Sequence, residues 1–350
     1  MRRISGAVAA LVLLVPPLTV AGCAESKPEA RPSGMPTTSP PEPIPLTPQV
    51  AEKAFATYVT DEDVARAAGD ERLALAWTSD GQALLTAAEF RKAAFDGDPV
   101  RRFSYGKPKL YVPKIEPDRF PQWFVASVSR SVQGKEKSQR TALMAFMLRS
   151  PSDRWHVTLT TLLAPKAKEP KVLIDPEGYV TGLGAGERSI LIRPRDVGGI
   201  QATIAAEGEG SVAAKVMGSG PVTTGYYQEA RRAKRKARDK HLILQVVYTA
   251  TPYPYFAMRT DHGGGLVIYS LFRNTSLVAK DPQTPKPEIP SEAEHLLDGT
   301  VEGNEVDTMS MLHFAAYDPP RAKQGKQPKA VIIADDGAVA KAATPPLKRP

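Results

Sequence analysis

Apolar residues first recur at helical spacing just after position 47. Ala51, Ala54, Phe55, Tyr58 and Val59 share one helix face. Thr47-Pro48 ahead of them is a start signal, a cap residue followed by proline at the first helical position. Thr60 with Asp63 predicts a second helix start. Ala65 to Trp77 is alanine-rich and helical in propensity, with an interruption at Gly69-Asp70. Thr86-Ala87-Ala88-Glu89 is a capping box, and its helix runs to about Phe95, before Gly97-Asp98-Pro99.

The period then shortens from helical to alternating. Phe103 to Val112, Gln122 to Val132, Thr141 to Leu148 and Trp155 to Leu163 read as strands. In the second of these, Trp123, Val125 and Ser127 fall on one face and Phe124, Ala126 and Val128 on the other. Gln133-Gly134-Lys135-Glu136 and Pro151-Ser152-Asp153 are turns, so the strands are antiparallel neighbours. Helices followed by four such strands predict a sheet with helices packed on one face.

The second half repeats this order in outline. Lys166 to Lys171 is a charged connector, and Asp175-Pro176-Glu177-Gly178-Tyr179 a turn. Arg193-Pro194-Arg195-Asp196 opens a helix through Ala206 with Val197, Ile200 and Ile204 on one face. Ser211 to Val216 is ambiguous. Thr223 to Lys240 reads as a very basic helix and His241 to Ala250 as a strand. Tyr255 to Thr260 pairs with Gly265 to Leu271 across Asp261-His262-Gly263-Gly264. Asp307 to Tyr317 and Ala330 to Ala334 are further strands, the last closed by a turn at Asp335-Asp336-Gly337. The fold class expected is α+β, two tandem units spanning residues 48–165 and 166–340, each with N-terminal helices on an antiparallel sheet. Residues 341–350 are expected to form a disordered tail.

The start of the chain changes the picture of where this body lives. Arg2 and Arg3 give a positive end, Ala7 to Val15 an apolar run, and Val20-Ala21-Gly22-Cys23 a small-residue close. These are the three parts of a secretory signal, and the run is shorter than the ~20 apolar residues a membrane-spanning helix needs. Cys23 is the only cysteine in the 350 residues, which excludes intrachain disulfides, cysteine zinc sites and a second thiol. Residues 1–22 are thus expected to be removed by cleavage between Gly22 and Cys23. Residues 23–47, dense in proline and threonine, read as an extended linker. The net charge of +8 suits an anionic lipid or wall polymer outside the cell, and nucleic acid is not expected there.

Val20, Ala21, Gly22 and Cys23 resemble the lipobox of bacterial lipoproteins, with Val20 where leucine is commoner. That resemblance implies a diacylglyceryl group on Cys23, a fatty-acylated (palmitate-type) anchor on the extracytoplasmic face of the cell membrane. Two acyl chains make such an anchor stable. Together with the linker, the paired halves, the Asp175 to Tyr179 turn and the Met258 to Tyr269 hairpin, the lipobox resembles an actinobacterial lipoprotein family of unknown function. The order of helices then sheet is similar to the cystatin or nuclear-transport-factor-2-like superfold. That superfold hosts enzymes, carriers and interaction modules alike, so it implies no activity.

Candidate chemistry is sparse. His156, His241, His262, His295 and His313 form no metal-binding spacing, so neither a metal nor a cofactor is implied. Ser104-Tyr105-Gly106-Lys107 matches a serine–lysine nucleophile signature, but its partner motifs are absent and the stretch reads as strand. Asp61-Glu62-Asp63 reads as a solvated acidic helix start. Tyr248, Tyr253, Tyr255 and Phe256 cluster in sequence, and a core edge explains them better than a pocket. The sharpest feature is the basic run containing Arg231, Arg232, Lys234, Arg235, Lys236 and Arg238. Tyr226, Ala230, Ala233 and Ala237 share the remaining face of its helix. The cations form either a solvated face or a docking face for an anionic surface. The expectation is a non-catalytic lipoprotein with a binding or scaffolding role at the envelope and an unidentified envelope protein as partner. The alternative is a carrier of a lipid or small molecule in a helix–sheet cavity, and a hydrolase ranks behind both.

Overall fold

The computed structural model describes residues 45–346 other than 282, 298 and 323. Gly22, Cys23, the apolar start, the linker through residue 44 and residues 347–350 lie outside these residues. Helix α1 (Pro48–Ala68) starts where the sequence signals it, with the Thr47 hydroxyl accepting a hydrogen bond from Val50 N and Pro48 in the first turn. Gly69 ends it in the left-handed conformation. Asp70 then caps α2 (Glu71–Leu75), and α3 (Asp80–Asp96) ends at the left-handed Gly97. Two expected helix starts are corrected. Thr60 lies inside α1, where its hydroxyl donates to Ala56 O one turn back. Thr86 is buried inside α3, which opens at Ser79–Asp80.

The strands are β1 (Phe103–Tyr105), β2 (Lys109–Pro113), β3 (Gln122–Val132), β4 (Lys135–Leu148), β5 (His156–Leu163) and β6 (Tyr179–Val180). The expected single strand Phe103 to Val112 is two, split where Pro108 denies the ladder a donor. The second half has α4 (Val197–Glu207), α5 (Thr224–Asp239), β7 (Leu242–Ala250), β8 (Phe256–Arg259), β9 (Gly265–Ala279), β10 (Glu305–Asp318) and β11 (Val331–Ala343). All described strands belong to one unclosed, mostly antiparallel sheet of order β6-β2-β3-β4-β5-β11-β10-β9-β7, with β1 beside β3 and β8 beside β9. The halves meet at β5 and β11 through the pairs Leu163–Ala334 and Leu162–Asp335.

The alternation read in β3 sorts its side chains into two cores. Phe124, Ala126 and Val128 pack with Phe146, Phe55 and Tyr58 beneath α1. Val125, on the opposite face, packs with Leu143 and Leu159 against Phe256, Met258, Leu266 and Ile268 of the second half. The second half repeats the division: Val267, Tyr269, Leu271 and Phe314 pack against Val197, Ala202 and Ile204 of α4. The order of layers is therefore helices, half-sheet, half-sheet, helices, with the half-sheets packed face to face.

Two expectations at the chain's end are also corrected. Asp335-Asp336-Gly337 is no turn, because β11 runs through it paired with Leu312, His313 and Phe314. A Cβ on Gly337 would lie 2.5 Å from the carbonyl oxygen of Met311, so the glycine serves the close approach of two backbones. The strand continues to Ala343 opposite Asp307, so the tail cannot start at residue 341.

Asp318, at the end of β10, makes folding pH-dependent. Its carboxyl is buried, Oδ2 accepts from Ile192 N at 3.0 Å and Oδ1 has no partner. Burial pushes its pKa up to about 7. Unfolded, the group would titrate near 4, so the folded state holds the proton more tightly. Stability should fall as pH rises between about 4 and 7, by at most ~1.4 kcal/mol per pH unit, and level off above. Asp318→Asn keeps the acceptor for Ile192 and cannot ionise. Its stability relative to the wild type, from denaturant unfolding, should rise across that window; a flat difference would contradict this account.

Candidate ligand-binding cavity

Between α1, α3, the start of β1 and the outer part of β11 lies a cavity of about 650 Å³. Its wall begins with a helical stripe on α1, Tyr58, Glu62 and Arg66 at four-residue spacing. Gln82, Leu85, Glu89 and Lys92 come from α3, Arg101 and Phe103 from the chain entering β1, and Arg130 from β3. Asp336, Gly337 and Val339 of β11 close it, with Glu292 and His295 from the short 3-10 turn at Ser291–Leu296.

The charged side chains hold one another in place. Arg66 is only 6% exposed; its Nε donates to Glu62 Oε1 at 2.9 Å, Nη1 to the carbonyl of Arg101 at 2.9 Å, and Nη2 lies 3.0 Å from Glu89 Oε2. Arg101 reaches the other oxygen of Glu89 at 3.0 Å, and Tyr105 donates to Glu62 Oε2 at 2.6 Å. The Phe103 ring sits near two guanidinium groups, Arg66 at 4.6 Å and Arg130 at 4.5 Å. Burial alone would raise the Glu89 pKa, but Arg66 and Arg101 outweigh it and hold the carboxyl below its usual range.

Asp336 is the exception. Burial raises its pKa despite the opposing Arg130 charge, whose Nη2 is 3.7 Å from Oδ2. Its Oδ1 accepts only from the adjacent Gly337 N. Gln82 Oε1 and both ring nitrogens of His295 are buried without partners in the same lining. The wall holds six carboxylates (Glu62, Glu89, Asp96, Asp98, Glu292 and Asp336) against four cations (Arg66, Lys92, Arg101 and Arg130). Such a site has fixed polar groups of both signs and an excess of acceptors.

Few of these residues stand out in the sequence. Glu62 reads there as part of a solvated acidic start, yet it is buried and ion-paired, while Asp63 beside it pairs with Arg102 at the surface. The usable signal is Glu62–Arg66 at i, i+4 on the same face as Tyr58. The sequence-singled residues themselves lie elsewhere. Arg231, Arg232, Lys234, Arg235, Lys236 and Arg238 are exposed on α5, which packs by Ala230 and Ala237. Ser104 is on β1 opposite Ser131, with Lys107 beyond the strand's end. The aromatic cluster disperses into packing contacts. Phe256 meets Trp123, Tyr248 stacks on Tyr226, and Tyr253 meets Phe272. His313 is buried with Nδ1 3.0 Å from the carbonyl of Thr160, and burial lowers its pKa to about 4. Among the described residues no helix is long and apolar enough to cross a membrane.

Residues 43–344 match a family described as a domain of unknown function, DUF8094. An uncharacterized lipoprotein of Streptomyces coelicolor is 30% identical over 183 residues, which cover 50% of this chain and 50% of that protein. The match thus spans about half the length of the curated relative. No solved structure matches the chain.

The ion network should dominate local stability. Arg66→Met leaves buried Glu62 without its counter-charge and half-buried Glu89 with Arg101 alone, and should cost about 3–5 kcal/mol in denaturant unfolding. Adding Glu62→Gln and Glu89→Gln should restore a large part of that loss. A single variant as stable as the wild type would contradict the network.

Proposed function

The chain belongs to the DUF8094 family, and on that premise we propose that it is a lipoprotein anchored through Cys23 on the extracytoplasmic face of the cell membrane. Its role is non-catalytic, to bind a small polar solute in the cavity between α1, α3 and β11. The lipobox-like Val20 to Cys23 and the lipoprotein name of the relative matched over half its length support the anchor. The observation that carries the binding role is the cavity itself. It is of the size that holds small molecules, roughly 300–1,000 Å³, and its charged groups are fixed before any ligand arrives.

The lining also narrows the cargo. A lipid would need an apolar wall, and this one carries six carboxylates and four lysine or arginine side chains. Carboxylates outnumber cations, so the reading is a solute bearing an amine, with Asp336 as its acceptor beside Arg130. An ion network whose members neutralise one another supports recognition rather than proton transfer. The body is further read as two α+β units of cystatin-like kind. In support, each half runs helices first and strands second, and covers one sheet face with its own helices.

Titration calorimetry with a panel of polyamines, amino acids and short peptides tests the binding role. The chain used lacks residues 1–22 and carries Cys23→Ser. At least one amine-bearing solute should bind, and Asp336→Asn should weaken it tenfold or more. Binding only of fatty acids or lipids, or affinity unchanged by Asp336→Asn, would overturn it.

A further inference from the structure

The α5 cations stand apart from the ion pairs found among the described residues. Among the described residues, none of Arg231, Arg232, Lys234, Arg235, Lys236 and Arg238 makes an ion pair. Glu229 on the same helix is taken by Arg273, and Lys240 just beyond it by Glu288. The helix is held by small side chains on one side, Ala230 and Ala237, and by the stack of Tyr226 on Tyr248 at 5.3 Å. It has no apolar stripe wide enough to insert into a bilayer, so its charge is available at the surface.

The charges are also arranged. Arg231, Lys234, Arg235 and Arg238 recur at i, i+3, i+4 and i+7, one stripe of the helix. With Ile243 and Leu244 they line a depression of about 410 Å³ between α5 and β7. β7 ends the sheet, and among the described residues its outer edge has no strand partner. Ile243 and Val247 are 46% and 51% exposed on it. Four cations beside an apolar floor match a molecule whose anionic head adjoins an apolar part.

We propose that this α5–β7 face docks on a bilayer of anionic phospholipid, the Arg231–Lys234–Arg235–Arg238 stripe meeting headgroup phosphates and Ile243 the interfacial layer. The surface is independent of the cavity, whose lining is acid-rich and which involves neither α5 nor β7. Each basic residue near an anionic bilayer strengthens attraction about fivefold, so loss of the stripe should weaken binding by 100-fold or more. Salt should weaken it too, because the charges are exposed.

The test is cosedimentation of the chain lacking residues 1–22 and carrying Cys23→Ser with vesicles of phosphatidylcholine alone or with about one third phosphatidylglycerol. The protein should pellet with the anionic vesicles only, and less as salt rises. Replacing Arg231, Lys234, Arg235 and Arg238 by Gln should abolish pelleting. Replacing Lys53, Lys107, Arg119 and Lys215, four exposed cations elsewhere, should change it by less than about threefold, if the stripe rather than net charge acts. Equal losses in the two variants, equal binding to both vesicles, or an unaffected stripe variant would each overturn the proposal. So would a stripe variant that self-associates while still binding vesicles, since the cations would then only guard the β7 edge. Hydrogen exchange on the wild type gives a check that needs no variant. Amides of α5 and β7 should gain protection on anionic vesicles, and protection confined to other segments would overturn the assignment.

Discussion

Strands that are apolar on both faces cannot leave either one to water, and β3 and β4 are of this kind. Phe124 and Phe146 need cover on one side, Val125 and Leu143 on the other. Helix α1 covers the first side. The second is covered by β8, β9, β10 and β11 of the same chain, brought across by the short join of β5 with β11. Apolar burial is worth about 25 cal/mol per Å², so this face-to-face contact is the large favourable term that ties the halves together. The cavity depends on it, because the same β11 that joins the halves also supplies Asp336, Gly337 and Val339 to the cavity wall.

Much of this architecture was legible before any coordinates. The period-2 reading of β3 assigned Phe124 and Val125 to opposite faces, and they lie in separate cores. Thr47-Pro48 marks the start of α1, and the turns at Gly134 and Asp261 to Gly264 separate strands as read, while the turn from Asp175 ends at Gly178 because Tyr179 opens β6. Failures have local causes. Thr60 and Thr86 carry capping chemistry, but tertiary packing keeps the helix going through both. Asp335-Asp336-Gly337 has turn composition, yet the glycine answers a close backbone approach from β10 that no local window contains. The joining of the two halves rests on residues far apart in sequence, Leu163 with Ala334, and leaves no mark in periodicity.

The cavity was hidden for the same reason. Its ion-paired members come from positions as far apart as 62, 66, 89, 101, 130 and 336, and each alone looks like a solvated surface charge. Only burial and mutual distance mark them as a network. The basic run on α5 is plain in the sequence because its residues are contiguous, and the structure adds what contiguity could not: among the described residues no carboxylate pairs with the run, and no strand covers the β7 edge beside it. Two surfaces of opposite character follow, an acid-rich cavity under α3 and a cationic face on α5. A lipoprotein that held a solute while lying against an anionic bilayer would use both.

Native mass spectrometry tests the cavity as a binding site most directly, on the full chain released in mild detergent from the membranes of its own cells. A bound mass of a few hundred daltons, lost in Asp336→Asn, is the result expected for a cavity of this size. A bare protein mass, or a bound species retained in the Asp336 variant, would show that the cavity holds no solute through Asp336.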